Sequence, residues 1–397
     1  MSARQIQNLS ERRLIVLLSV GAFGSAASLR VTDAQLPALA QTFGVGLAGA
    51  AQAITVFSVA YGLMQLLYGP AGDRYGKWRV IALAVAGASL ASALCALAQG
   101  FGALLAARVL AGGFCAAIIP LAMAWIGDAV AYERRQPVLA RFLTGQILGM
   151  ALGQWAGGMA AEFDLWRLPF VLLAVWFAFA AVLLWRARAA AAALAPPAAR
   201  GGHPLREIAY VLRQRWARVV LAVVFVEGMV FFGPLAFLAT HLHLARGLSL
   251  AQAGAVVTLY AAGGLLFAFA AAPLVRRLGE AGLARGGGAL IAAGLLLVAW
   301  SPVWWTAPLA CLLAGAGFYM LHNTLQINAT QMAPQARGAA VSLFASLFFL
   351  GQTVGVALAA ASVQPAGTGA IIAAGALATL AVGFAFAALR ERRAAVS

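Results

Sequence analysis

The chain has 397 residues, is 63% hydrophobic and only 10% charged, with a mean hydropathy of +0.91 and a formal net charge of +16. Soluble domains hold roughly 45–50% apolar and about 25% charged residues, so the composition excludes a soluble protein and requires an integral membrane one. Backbone groups in hydrocarbon must be satisfied by helices or by a closed barrel, and runs such as 80-VIALAVAGASLASALCALA-98 lack the alternation of a barrel strand.

A membrane helix needs about 20 apolar residues. Twelve are predicted, over roughly 14–37, 47–69, 79–99, 102–126, 139–160, 167–186, 217–239, 250–272, 286–301, 305–327, 339–361 and 367–389. Arg12 and Arg13 precede the first, whose apolar run continues past any signal-peptide cleavage site. Near its other end Arg30 and Asp33 lie three apart on one face. The second span carries Tyr61 and Gln65 and leads into 69-GPAGDRYGKWR-79. That stretch is no phosphate loop, because Gly72 and Gly76 enclose three residues rather than four and Trp78 replaces the Ser or Thr after Lys77. The fourth span holds Arg108 at a depth similar to Arg30, so the three charges form a candidate cluster. Asp128 and Glu133 at its far end, beside Arg134 and Arg135, read as a surface ion network. Gln146 lies in the fifth span.

Between the sixth and seventh spans, residues 187–216 shift to Ala, Pro, Gly and Arg. The first part reads as a flexible linker, and Leu205, Ile208, Val211 and Leu212 then give an amphipathic helix on the inner membrane surface. In the seventh span Glu227 is a lone carboxyl about ten residues, or roughly 15 Å, from the inner end and so near the midplane. A charge at the bilayer centre costs about 2.5–3.5 kcal/mol or more. Desolvation there favours the neutral acid, and a carboxyl that exchanges its proton as access alternates is what a proton carrier requires. Glu227 and Asp33 are therefore the candidate proton-coupling residues. Trp300, Trp304 and Trp305 form an interfacial belt at the turn before the tenth span, which supplies His322, Asn323 and Gln326. Gln352 follows in the eleventh. With Tyr61, Gln65 and Gln146 these are the candidate cavity-lining residues.

Placing both termini inside puts 23 of the 27 Lys and Arg residues in inner segments. The net charge is thus a topology signal with some attraction for anionic lipid, and nucleic acid is excluded as a partner. Cys95, Cys115 and Cys311 fall inside spans without metal-ligand spacing, so neither a metal site nor a disulfide framework is expected. The chain also repeats itself: 145-GQILGMAL-152 matches 351-GQTVGVAL-358, 69-GPAGDRYG-76 faces 272-APLVRRLG-279, and 113-GF-114 faces 317-GF-318, at offsets of 206, 203 and 204. Six spans per copy give parallel repeats, with a substrate site expected between them. The expected organisation is a bundle over 1–186, a linker over 187–216 and a second bundle over 217–397.

The run 69-GPAGDRYGKWR-79 resembles the cytoplasmic signature of the major facilitator superfamily, and 108-RVLAGGFCAAIIP-120 resembles a second motif of that family. The nearest look is to bacterial proton-coupled efflux members. The resemblance implies an all-α membrane fold of twelve helices in two pseudo-symmetric six-helix bundles. It also implies a gating role for Gly69, Asp73, Arg74, Gly76, Lys77 and Arg79, with Asp73 latched onto the start of the eleventh span near Gly338. In 149-GMALGQWAGG-158 the sequence departs from the efflux branch, Gln154 standing where Pro is expected.

The expected function is proton-coupled export of a small amphipathic or cationic molecule, with proton-coupled uptake of a metabolite as the alternative. The driving force is a proton gradient without cofactor, the partners are substrate, protons and lipid, and the expected form is a monomer in the inner (plasma) membrane. An intramembrane enzyme is disfavoured because no paired aspartates, His-rich set or Ser–His arrangement share a depth. A receptor is disfavoured because neither the loops nor the tail 390-RERRAAVS-397 holds a signalling domain.

Overall fold

A computed structural model describes residues 3–194 and 204–394, and the described residues are helices joined by short turns. In chain order the helices are α1 (Ala3–Arg30), α2 (Leu36–Phe43), α3 (Leu47–Ala50), α4 (Gln52–Tyr75), α5 (Lys77–Leu97), α6 (Phe101–Ala129), α7 (Tyr132–Glu162), α8 (Leu168–Arg186), α9 (Arg188–Leu194) and α10 (Pro204–Arg213). They continue with α11 (Arg215–Ala236), α12 (Leu238–Arg246), α13 (Leu250–Trp300), α14 (Ala307–Gln331) and α15 (Arg337–Ala394).

Among the described residues nine helical stretches are long and apolar enough to cross a bilayer. Two of them, of 51 and 60 residues, are each more than twice the length a crossing needs. They break at Gly279 and Gly367, whose φ values of 62° and 78° are not helical, so α13 and α15 are two crossings each. The polar and charged residues of α7 keep it out of that apolar set, and its 31 residues supply the twelfth crossing. The first crossing differs from the expected 14–37. Pro37 has no N–H to bond back into a preceding turn, and α1 stops at Arg30, followed by a 3₁₀ turn over Asp33–Gln35.

The sequence repeat is present in the packing. Gly145 and Gly149 of α7 lie against the backbone of Ser19 and Phe23 in α1, while Gly351 and Gly355 of α15 lie against Phe225 and Met229 in α11. Every residue in the second set stands 206 after its counterpart. Likewise Gly112 meets Phe57 and Gly315 meets Tyr260, each pair 203 apart. At all of these sites except Gly145, where it would stand 3.3 Å from the Ser19 oxygen, a Cβ would strike a carbonyl, so close helix approach is written into both copies by the same glycines. Gly76 and Gly279, also 203 apart, both take positive φ at the turn after the second crossing of their copy.

Within the first six crossings α1 packs on α7, α4 on α6, and α5 on α6 and α8; within the last six α11 packs on α15 and α13 on α14. Across the two sets, α7 meets α13 and α4 meets α15. Trp300, Trp304 and Trp305 are exposed at the turn where the belt was expected. In α10 Val211 is buried, whereas Leu205 and Leu212 are exposed. The residues expected to form the flexible linker include α9, and 195–203 lie outside the described residues.

Candidate functional site

The segments at 75–77, 204–215 and 279 mark a basic side, and those at 31–50, 162–167 and 237–249 mark the far side. The two sets of helices close on each other at the far side. Gly158 of α7 lies against Leu250 and Gly254 of α13, and Glu162 accepts from the backbone N–H groups of Leu250 and Ala251 at 2.7 and 3.4 Å. Between α4 and α15, Gln352 donates to Ser58 Oγ at 3.1 Å, Ser346 donates to the Gly62 carbonyl at 2.6 Å, and Tyr61 packs on Phe349 with ring centroids 4.3 Å apart. Toward the basic side the packing loosens: a Cβ on Gly69 would stand 3.9 Å from Ser342 Oγ, an ordinary contact, and nothing lies within 4 Å of one on Gly338.

The intramembrane charges are enclosed by protein rather than reaching for the headgroups. Arg30 and Asp33 pair at 3.2 Å with exposures of 5% and 2%, and the Arg30 guanidinium stands 4.2 Å over the Phe232 ring of α11. Arg108 is fully buried. It donates to the carbonyls of Ala53 and Ser28 and to Thr32 Oγ1, and stacks 4.1 Å over Phe57. The expected three-charge cluster therefore resolves into an ion pair and an arginine that ties α1, α4 and α6 together through their backbones.

Glu227 is not alone. Its Oε2 lies 2.9 Å from Nδ1 of His322, placed by the sequence in the cavity lining and here the partner of the carboxyl. The carboxylate is fully buried and its Oε1 has no hydrogen-bond partner among the described residues, whereas the His322 side chain is 16% exposed. Glu227 sits halfway along α11, where no backbone N–H is free to bond it, so a side chain from another helix must. His322 in turn is held among rings, stacked on Phe318 at 5.0 Å and against Phe348 at 4.7 Å. The imidazole is thus the more accessible end of a buried carboxyl–imidazole pair.

Other polar candidates separate into two groups. Tyr61 and Gln352 are buried at the contact between α4 and α15 and help seal it, and Gln65 is buried one turn further along α4. Gln146 and Asn323 are half-buried and Gln326 is exposed. In the motif, Asp73 does not bond the start of α15. It pairs with Lys77 at 3.0 Å, and Lys77 reaches on to Asp128 at 2.8 Å. The latch implied by the resemblance is thus not made in this structure, and Asp128 joins Lys77 in this network; Arg134 bonds Glu11 at 2.7 Å. The Glu133 side chain lies outside those described. Arg74 and Arg79 are exposed, Arg74 lying against Tyr75.

The second copy holds a network the sequence did not single out. Glu280, which stands 203 after Lys77, accepts from Arg390 at 2.7 Å and from Asn328 at 2.9 Å, and Trp216 donates to Asn328 at 3.2 Å. Charges are exchanged relative to the first copy, a pattern already visible in Arg276 facing Asp73. Among the described residues no group of three His, Cys, Asp or Glu is placed to hold a metal ion, and Cys95, Cys115 and Cys311 are free and buried.

Residues 18–356 match the sequence model of the Major Facilitator Superfamily. An uncharacterized MFS-type transporter of Bacillus subtilis, YceJ, is 26% identical over 343 residues, covering 82% of each chain. The puromycin resistance protein of Streptomyces alboniger is 33% identical over 139 residues, which cover 34% of this chain and 27% of that protein. The human organic anion transporter MFSD10 superposes with a TM-score of 0.71 at 19% identity, over 94% of this chain and 99% of that one. The nucleoside transporter NupG gives 0.75 at 14% identity, over 96% of this chain and 98% of that one. At those identities the likeness is one of fold.

Proposed function

Because the chain belongs to the Major Facilitator Superfamily, we propose that it is a proton-coupled secondary transporter that exports a small amphipathic or cationic molecule by alternating access. The two six-helix bundles, 1–186 and 217–397, rock about the site between them while the linker 187–216 spans them on the basic side, which faces the cytoplasm of a cell whose plasma membrane holds the protein as a monomer. The observation that carries the reading is the Glu227–His322 pair: a buried carboxyl whose only described side-chain partner is an imidazole that keeps 16% of its side chain exposed. Protonation from one side and release to the other is the differential binding that couples a gradient to a conformational change. Asp33, tied to Arg30, is the second proton-exchanging candidate.

Export is supported by the relative named for puromycin resistance. Uptake is the second reading, favoured by Gln154 at the position where efflux members carry Pro. Vesicles reconstituted with the purified protein and an imposed pH gradient test both: addition of an exported substrate releases protons, whereas a symporter moves substrate and protons in the same direction. In that assay Glu227→Gln abolishes gradient-driven transport while leaving the fold intact. Unchanged transport in the variant removes Glu227 from the mechanism.

A further inference from the structure

Three of the side chains around one cavity each carry a buried polar atom without a hydrogen-bond partner among the described residues: Arg30 Nε, Asp33 Oδ1 and Gln154 Nε2. Their residues are 5%, 2% and 4% exposed. The cavity lies between the two bundles, with the polar groups contributed by the first and a wall of Val257, Thr258 and Tyr260 from α13. With the far side closed it measures about 20 Å³, room for one water. A buried polar group left unpaired costs about 1–3 kcal/mol, and more when charged. Three in one place, at an interface that must part for transport, form a set that a ligand completes.

Their chemistry has a sense. Arg30 Nε and the Gln154 amide nitrogen each offer N–H and require an acceptor, while Asp33 Oδ1 requires a donor. The Arg30–Asp33 pair is neutral overall, so a bare cation meets repulsion from one member as it meets attraction from the other. A run of packed, buried rings leads away from the pair: Arg30 over Phe232 at 4.2 Å, Phe232 on Phe348 at 5.3 Å, and Phe348 on His322 at 4.7 Å.

We propose that Arg30, Asp33 and Gln154 form a head-group subsite for an ammonium adjacent to a carbonyl, the aminoacyl arrangement, with the ligand's aromatic body lying along Phe232 and Phe348. The ammonium donates to Asp33 Oδ1, and the carbonyl accepts from Arg30 Nε and Gln154 Nε2. This deepens the transporter reading and rests on it, naming the substrate class.

The test is calorimetric binding to the full-length protein in lipid nanodiscs without a pH gradient. Its probes are phenylalanine 2-naphthylamide, the N-acetyl derivative of that amide, and tetraphenylphosphonium, a cation without hydrogen-bonding groups. The free amine binds about tenfold or more tightly than the acetylated form. Gln154→Leu and Asp33→Asn each weaken it by about tenfold while tetraphenylphosphonium stays within about twofold. Gln154 takes no part in the ion pair, so that variant keeps the test sound if the Asp33 variant fails to fold. The proposal is overturned if wild type binds none of the probes, if acetylation changes nothing, if both variants bind as wild type (a water pocket only), or if tetraphenylphosphonium is lost in step. No gradient enters the measurement, so failure of proton coupling at Glu227 and failure of the subsite give separate results.

Discussion

Glu162 is the last residue of α7, and its carboxylate caps the first turn of α13 with bonds of 2.7 Å from Leu250 N–H and 3.4 Å from Ala251 N–H. It is an ionic tie between the bundles on the far side, set at a helix N-terminus where four N–H groups have no partner within the helix. Opening the far side separates α7 from α13 and breaks it. An exposed charged cap of this kind is worth about 1 kcal/mol, reduced by salt. Glu162→Ala therefore shifts the ratio of far-side-closed to far-side-open protein about fivefold toward open. The shift stays modest because Gly158 still packs on Leu250 and Thr258 still reaches the Ala151 carbonyl. Spin labels at the exposed residues Phe163 and Leu244 report the far-side distance by pulsed electron resonance, and the three buried cysteines leave little background. The longer-distance population grows about fivefold in Glu162→Ala and less in Glu162→Gln, which keeps an acceptor. An unchanged distance distribution refutes the reasoning.

Asp73→Asn removes one of the two carboxylates paired with Lys77 and, in the proposed latch, the group that reaches α15 as the basic side closes. Transport in vesicles slows without any change of substrate profile, and an altered profile contradicts the latch. For Glu280, burial alone raises the carboxyl's pKa, but the bonds from Arg390 and Asn328 outweigh it and hold the group below its ordinary 4.5. A depressed carboxyl adds stability that is complete above its unfolded value and is lost as pH falls through the folded one. Glu280→Gln accordingly melts lower than wild type near neutral pH, the gap narrowing once the pH drops below 4.5; a gap constant across that range counts against the assignment. Finally, Gly149→Val and Gly355→Val drive side chains into the Phe23 and Met229 carbonyls, respectively. Each destabilises by about 1–3 kcal/mol or more, read as a fall in melting temperature in detergent. A loss at one site with none at the other argues against equivalent packing in the two copies.

The sequence carried far on the scale of helices because hydrocarbon leaves a backbone few choices. Span count, the break between the copies and the offsets of 203 and 206 are properties of runs and repeats, readable without knowing what touches what. The repeat even carried the packing, since glycines at equal offsets meet equal partners. Spacing on one element was also legible, as in Arg30 and Asp33. Glu227 was found by depth but misjudged as solitary, because His322 lies 95 residues away on a different helix. The same separation hid Glu280 with Asn328 and Arg390, and Glu162 with Leu250. Gln154 stood out only as a departure from a motif; its unpartnered amide emerged with the cavity.

Composition and periodicity thus determined that the chain is a twelve-span helical membrane protein built twice, with its basic loops on one side, because those features follow from the solvent each segment meets. Only the tertiary structure decided which charges are paired, that Asp73 is unlatched while the far side is sealed, and that the polar groups of one bundle face the aromatic wall of the other. Those are contacts between helices distant in sequence, fixed by which faces pack together and by the conformation the two bundles adopt.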